Sequence, residues 1–383
     1  MEQRRLYLTY STFYFAYFAA LGIFAPYFPL YLKSLGISGP GIAILLALGP
    51  ASRFLFPALW GLWADRAGHR KLLVILSSSG SCAVFALLFW ARQFWGVALV
   101  LSIYGFLLAP SIPLVEGMVQ EESDRRRFSY GPVRLWGSLG FIASSLLYAR
   151  LLDRMPVDTV LMGILLLSCL SILPAWALPA AGSAAPPARP SLMQEIRRPE
   201  ILRFLCATAL MQASHGAYYA YFSLHLDRHG YSRTAIGGYW TLAVAAEIGM
   251  MLLSSRLLEA AGPTRLISVS LGAAALRWLL LMAGVNPWLL AFGQLLHAFS
   301  FGLFHVSAVH ATHRLFPDGL RSSGQSLYSS LTYGLGNLVG FFGCAALVEL
   351  LGVRGLFGLS SALALAALLV SLSLPAALTR REA

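Results

Sequence analysis

Apolar residues run along this chain in stretches of about twenty, the length an α-helix needs to cross the hydrocarbon core of a bilayer, and short clusters of charge, glycine and proline separate them. Cutting the chain at those clusters predicts twelve helices. In the first half they cover about 6 to 33, 38 to 63, 71 to 92, 95 to 119, 131 to 153 and 156 to 179. In the second half they cover about 200 to 227, 233 to 259, 264 to 285, 287 to 313, 322 to 349 and 352 to 377. Between the halves stands "PAAGSAAPPARPSLMQEIRRPE", residues 179 to 200, whose proline, glycine and arginine content does not bury in lipid and suits a linker. The predicted organisation is a six-helix unit over 1–179, a linker over 180–199 and a second six-helix unit over 200–383. No stretch is left for a folded domain outside the membrane.

Composition agrees with that pattern. Hydrophobic residues make up 58% of the chain and charged residues 11%, against roughly 25% charged in a soluble domain. The fold class expected is an all-α integral membrane protein. A net charge of +12 would suit nucleic acid if it were concentrated, but the basic residues are scattered between apolar runs and form no tail. Most of the 28 lysines and arginines fall on the side that holds both termini, which predicts a cytoplasmic N-terminus and C-terminus in an inner membrane. The four cysteines lie far apart with no CxxC pair, so neither a disulfide framework nor a zinc site is indicated. No GxxxxGK[ST] stretch is present, so direct drive by ATP is not expected. The chain is expected to need no cofactor, to bind no nucleic acid and to work as a monomer.

The two halves echo one another. "GLWADRAGHRK" at 61 to 71 and "SRLLEAAGPTR" at 255 to 265 occupy matching interhelix positions, aligning Asp65 with Glu259, Gly68 with Gly262 and Lys71 with Arg265. A duplicated unit leaves such a trace. Physically, the first loop needs a glycine to turn and basic residues at headgroup level, and it can clip neighbouring helices in one state and release them in another. Gly61, Asp65, Arg66, Gly68, Arg70 and Lys71 resemble the loop signature of the major facilitator superfamily, with His69 where a basic residue is usual. That resemblance implies two pseudo-symmetric six-helix bundles around a central cavity that opens alternately to either side. "YGPVRLWGSLGF", "MQASHGAYYAYF", "HGYSRTAIGGYW", "AVAAEIGMM", "LRWLLLMAG" and "LLHAFSFGLFH" are similar to the phenylpropionate permease group, which in turn resembles the lactose permease group.

Charge inside a bilayer costs at least about 2.5 kcal/mol per group, so intramembrane charges are paired or face a cavity. Glu247, Arg277, His297 and His305 fall in the predicted eighth, ninth and tenth helices. If these helices converge, Glu247 and Arg277 neutralise each other and His297 adds a titratable group, imidazole ordinarily titrating near neutrality. A fixed interhelical salt bridge is the alternative. The lactose permease resemblance implies that Glu247, Arg277 and His297 are a proton-coupling acid, arginine and histidine. Ser300 stands where that group places a further carboxylate, so the proton would fall to Glu247 or to a histidine.

In the first half, Glu116 closes the fourth predicted helix and Arg134 opens the fifth. The same resemblance implies an acid and an arginine that bind substrate, and a substrate carboxylate would suit the guanidinium fork of Arg134; an inner-end salt bridge is the alternative. On the seventh helix Gln212 and His215 share a face, and Tyr218 and Tyr219 extend an aromatic wall, although aromatics at this spacing also serve simple packing. Asn337 lies in a glycine-rich stretch of the eleventh helix, placed to hydrogen-bond across a close helix contact. The tenth helix is rich in histidine. Gln294, His297 and His305 lie on one stripe, whereas His310 and His313 fall near its inner end.

The expected function is proton symport of a small organic solute, an aromatic carboxylate such as 3-phenylpropionate first and a sugar or nucleoside second. A non-transporting sensor and a membrane metalloenzyme are the remaining classes. The latter needs converging ligands, and His310 and His313 alone do not supply a set. The partners expected are a small-molecule substrate, protons and the lipid bilayer.

Overall fold

In a computed structural model, which describes residues 2–56, 60, 70–124, 130–179, 192–317 and 320–374, the chain is helical throughout and no strand occurs among the described residues. The helices are α1 (Glu2–Ser34), α2 (Gly39–Leu55), α3 (Arg70–Ala86), α4 (Phe94–Leu108), α5 (Ser111–Asp124), α6 (Tyr130–Leu152) and α7 (Thr159–Ala177). After the short α8 (Leu192–Ile196) come α9 (Pro199–Ser214), α10 (Gly216–Arg228), α11 (Arg233–Ala261) and α12 (Pro263–Ala283). The chain then runs through α13 (Pro287–Leu295), α14 (Phe304–Leu315), α15 (Arg321–Ser329) and α16 (Asn337–Leu372).

Among the described residues, nine apolar helical runs are long enough to cross a membrane, and one of them, Ser323–Leu372, is two spans joined at Gly352. Its φ of 63° and ψ of 173° turn the chain where only glycine is comfortable. The shorter α2 and the interrupted α9–α10 complete the twelve spans of the sequence pattern. Large apolar side chains point outward along them, as Leu147, Leu252 and Leu350 do. Trp90, Trp95 and Trp288 are exposed at run ends, the depth at which membrane aromatic belts lie. The protein is a multi-pass, all-α membrane protein.

Local chemistry explains the helix ends. Ser38 caps α2 by accepting from Gly41 N–H at 3.3 Å, and Asn286 caps α13 by accepting from Trp288 N–H at 2.9 Å; a proline follows in the first turn of each. Gly262, at φ 75°, allows the tight turn from α11 into Pro263 of α12. The far end of α12 is closed by Arg354, which donates to the carbonyls of Met282 and Ala283, both at 2.9 Å.

The described chain gathers into two compact units. The first contains the residues up to 185 together with Leu226–Thr241; the second contains those of 186–225 and 242–383. In the first, α1 lies against α6 and α7, α3 against α4, α5 and α7, and α2 against α4. Tyr10, Phe13, Tyr14, Val74, Val115, Met118 and Val133 form part of its core. The Leu226–Thr241 segment is tied into this unit by polar contacts. Lys33 Nζ meets Asp227 Oδ2 at 3.0 Å, Arg233 also pairs with Asp227, and Asp153 accepts from the backbone N–H groups of Arg233 at 2.7 Å and Thr234 at 3.2 Å. Asp153, at the end of α6, thus caps the start of α11.

In the second unit α9 and α12 both pack on α16, and small residues set the distance. A Cβ on Gly340 would stand 2.5 Å from the carbonyl oxygen of Ala213, and one on Gly336 would stand 2.6 Å from that of Ala209. The glycines of the eleventh span are therefore packing surfaces. Of the loop signature, Gly61, Asp65, Arg66 and Gly68 lie outside the described residues. Arg70 opens α3 and forms an ion pair with Glu121 near the end of α5, and Lys71 follows it.

Candidate functional site

The intramembrane charges of the second half come together around Arg277. This residue lies in the middle of α12 and is fully buried, so every polar atom of its guanidinium needs a protein partner. Its Nη1 donates to His297 Nδ1 at 2.9 Å and to Ser300 Oγ at 3.2 Å, and its Nη2 donates to Gln294 Oε1 at 3.2 Å. Gln294 Oε1 also accepts from the Tyr218 hydroxyl at 3.0 Å. The guanidinium carbon stands 4.3 Å from the Tyr218 ring centroid and 4.7 Å from that of Trp278, a double cation–π contact that partly replaces lost hydration.

Glu247 reaches this group through an imidazole. His297 Nε2 lies 3.6 Å from Glu247 Oε2, with both side chains almost enclosed. The direct pairing of Glu247 with Arg277 expected from sequence is thus an interposed arrangement, arginine to histidine to glutamate. All of Arg277's hydrogen-bond acceptors are neutral, and its Nε has no partner.

The backbone positions the group with an unexpected device. The tenth predicted helix does not run evenly: α13 ends at Leu295, and Ala298–Leu303 forms a π-helical turn before α14 begins. Such turns insert one residue into a helix and recur at functional sites. Gly302 in this turn lies beside Glu247, where a Cβ would meet Glu247 Cγ at 3.1 Å. A second π-helical turn, Ser330–Gly336, carries Tyr333. His305 Nδ1 and the Tyr333 hydroxyl are 2.7 Å apart, and Phe301 stacks between His297 and His305 at centroid distances of 5.2 and 6.2 Å. Among the proton-coupling candidates, Glu247, Arg277 and His297 are joined directly, and His305 is connected through Phe301.

The seventh span breaks where the sequence reading placed substrate contacts. Ser214 ends α9, His215 closes it with φ −81° and ψ −9°, and Gly216 opens α10. Gln212 and His215 are fully buried. His215 Nδ1 bonds the carbonyl of Met211 at 2.9 Å and leaves Nε2 without a partner, while both amide atoms of Gln212 are unmatched. Asn337 donates to the carbonyl of Tyr333 at 3.0 Å and leaves Oδ1 unmatched. Tyr219 stacks on His215 at 5.8 Å. Buried polar atoms without partners are costly, so this set has unused hydrogen-bonding capacity.

In the first unit Arg134 lies on α6, partly buried, with its guanidinium carbon 4.1 Å from the Phe18 ring centroid and 5.8 Å from that of Tyr14. Among the described residues no carboxylate is within ion-pair distance of it, so the salt bridge with Glu116 considered from sequence is not formed. Glu116 is partly buried on α5. Arg53 is exposed, as are His310 and His313.

Tyr14, Phe18, Phe301 and Tyr333 escaped the sequence reading. For the first two, a signal existed: Tyr10, Tyr14 and Phe18 repeat at four-residue spacing on one face of α1. Among the described residues, no three His, Cys, Asp or Glu side chains gather as a metal site.

Comparison with known proteins agrees with this architecture. The model of the MFS_1 like family matches residues 7–359. A probable 3-phenylpropionic acid transporter of Escherichia coli (strain K12) is 30% identical over 339 residues, covering 84% of this chain and 86% of that protein. Maltose permease of Geobacillus stearothermophilus is 27% identical over 334 residues, covering 85% and 84%. Among solved structures, the nucleoside transporter NupG superposes with a TM-score of 0.81 at 17% identity, covering 96% of this chain and 98% of that one.

Proposed function

This chain belongs to the MFS_1 like family and is a secondary transporter of the major facilitator type, and from that premise we propose that it carries a small aromatic carboxylate, such as 3-phenylpropionate, together with a proton. The observation that carries the choice of cargo is Arg134. A guanidinium lying on two aromatic faces with no carboxylate partner among the described residues suits a ligand that brings its own carboxylate and an aromatic ring. The similarity to a probable 3-phenylpropionic acid transporter supports the same cargo. Similarity to maltose permease and to a nucleoside transporter makes a sugar or nucleoside the second reading.

In this reading Arg134 binds the carboxylate, Phe18 and Tyr14 receive the ring, and Glu116 borders the site. Gln212, His215, Tyr218, Tyr219 and Asn337 contribute hydrogen bonds and aromatic surface in the second half, and Glu247, Arg277, His297 and His305 couple transport to the proton. Transport proceeds by alternating access of the bundles 1–179 and 200–383 joined by the linker 180–199. The loop residues Gly61, Asp65, Arg66, Gly68, Arg70 and Lys71 act as the conformational clip. The protein works as a monomer in the inner membrane with both termini cytoplasmic.

The test is uptake of labelled 3-phenylpropionate, maltose and uridine into vesicles, with and without an imposed pH gradient. Phenylpropionate uptake that rises with the gradient and collapses on adding a protonophore is expected. Gradient-driven uptake of maltose or uridine alone replaces the first cargo with the second. Uptake indifferent to the gradient refutes proton coupling. Glu247→Gln is expected to reduce accumulation more than exchange; an equal loss of both counts against a coupling role.

A further inference from the structure

Two arginines at the start of α1 stand at the head of a groove that the transport reading does not use. The groove, of about 480 Å³, runs between α1 and the last turns of α7, and Arg4, Arg5, Leu8, Thr12, Leu173 and Pro174 line it. Helical spacing builds one wall: Arg4, Leu8 and Thr12 recur at four-residue intervals and so stack in one stripe of α1. The packing of α7 on α1 supplies the other wall, Leu173 and the buried Pro174.

Polarity changes along the groove. Both arginines are exposed at the end of the first span. From Arg4 to Thr12 the stripe descends about 12 Å into that span at 1.5 Å per residue. At its deep end the Thr12 hydroxyl donates to the Leu8 carbonyl at 2.7 Å, which ties its polarity back to the helix. Leu8 is 50% exposed and Leu173 68% exposed, so this apolar part opens sideways toward the hydrocarbon of the bilayer. An occupant therefore needs an anion at one end and an apolar body below it. A soluble anion meets only the first condition, and a lipid phosphate meets both.

Charge selects among lipids. No acidic side chain lines the groove among the described residues, and neither arginine forms an ion pair there. A choline or ethanolamine ammonium would meet two like charges and no partner, whereas guanidinium forks match the oxygens of an unaccompanied phosphodiester. We propose that the groove binds one phospholipid of net negative headgroup, such as phosphatidylglycerol. Its phosphodiester lies on Arg4 and Arg5, and one acyl chain runs along Leu8, Thr12 and Leu173. The bound lipid bridges α1 and α7 within the first unit.

The test is native mass spectrometry of the full chain in detergent, titrated with dioleoylphosphatidylglycerol or dioleoylphosphatidylcholine, reading the affinity of the first bound lipid. A basic residue at an anionic surface strengthens binding by about fivefold, so two give about 25-fold. Wild type is expected to prefer phosphatidylglycerol by about tenfold or more, and Arg4→Gln with Arg5→Gln to bring that preference within about twofold. Arg150→Gln with Arg154→Gln removes the same charge from exposed positions at the far end of α6 and should keep the preference. Wild type without a preference, or a preference that survives the Arg4 and Arg5 changes, overturns the proposal. Equal loss in the Arg150 and Arg154 pair also overturns it, because net charge alone would then attract the lipid. Displacement of the first phosphatidylglycerol by millimolar inorganic phosphate would make the occupant a free anion and not a lipid. If the Arg4 and Arg5 variant is not recovered folded, Leu173→Glu decides: it leaves every arginine in place and sets a carboxylate in the same groove. Loss of the preference in Leu173→Glu is expected, and an unchanged preference overturns the assignment.

Discussion

Replacing Arg134 tests the cargo reading most directly. Arg134→Gln removes the positive charge and the planar fork while keeping a side chain long enough to pack near Phe18, whose ring centroid lies 4.1 Å from the guanidinium carbon. A hydrogen bond to a charged group contributes about 1.5 to 3 kcal/mol in place. The cation–π contact is not part of the loss on binding, because it exists before the ligand arrives. With one such bond's worth removed, affinity for a carboxylate falls by roughly 10- to 150-fold at 1.4 kcal/mol per decade. Arg134→Lys keeps the charge but not the bidentate geometry and should fall in between. The assay is competition of labelled phenylpropionate uptake by unlabelled 3-phenylpropionate and by its neutral amide. For wild type, the acid should compete far better than the amide; for Arg134→Gln, the two should become similar. A parallel loss of both ligands would mean that Arg134 supports the fold of α6 and does not read the carboxylate. An unchanged preference for the acid would remove it from the site.

Two further predictions concern the scaffold. Gly340→Ala forces a Cβ to within 2.5 Å of a backbone oxygen on α9, so folded yield and melting temperature should drop by the equivalent of about 1 to 3 kcal/mol; Gly343→Ala, where nothing lies within 4 Å, should be neutral or slightly stabilising, and equal effects of the two would refute the packing argument. At Asp153 burial acts to raise the carboxyl pKa, but hydrogen bonds from the Thr234 side chain and the N–H groups of Arg233 and Thr234 outweigh it and hold the group below the usual carboxylate range. A depressed folded pKa means that its contribution is complete above the unfolded value of about 3.9 and disappears as pH falls through the folded one. Melting in detergent should therefore show no Asp153-dependent change between about pH 8 and pH 5, with part of the loss below about pH 4 absent in Asp153→Asn. For so exposed a cap the difference should be near the low end of capping, roughly 0.5 kcal/mol. A dependence near neutrality that Asp153→Asn abolishes would contradict the assignment.

What was legible in the sequence follows from what lipid penalises. Spans show because apolar length and charged boundaries are enforced by the bilayer: the predicted 264 to 285 and 287 to 313 lie within two residues of the ends of Pro263–Ala283 and of the run Pro287–Leu315. Glu247, Arg277 and His297 show for the same reason, since charge and polarity in a span need a purpose. The break at His215 and the π-helical turns at Ala298–Leu303 and Ser330–Gly336 do not show. A change of one residue in hydrogen-bond register alters neither hydropathy nor charge, and the glycines nearby read equally well as packing surface. Phe18 and Tyr333 were hidden in a chain with 23 phenylalanines and 16 tyrosines, where one more aromatic carries little information.

The geometry of the relay was hidden more deeply. Composition can nominate His297 and Glu247 as titratable neighbours, but it does not show which atom of the imidazole Arg277 reaches. Arg277 lies twenty positions earlier on another helix, and its contact falls on Nδ1 of His297, just before the π-helical turn begins. Had Arg277 met a carboxylate at position 300, as the lactose permease resemblance implies, the imidazole would have been released from that duty. With Ser300 there, the guanidinium's hydrogens turn to neutral acceptors, and the imidazole becomes the link through which Glu247 answers the buried charge. The serine on one side of the arginine thus leaves its hydrogens to a neutral hydroxyl there and to the imidazole on the other.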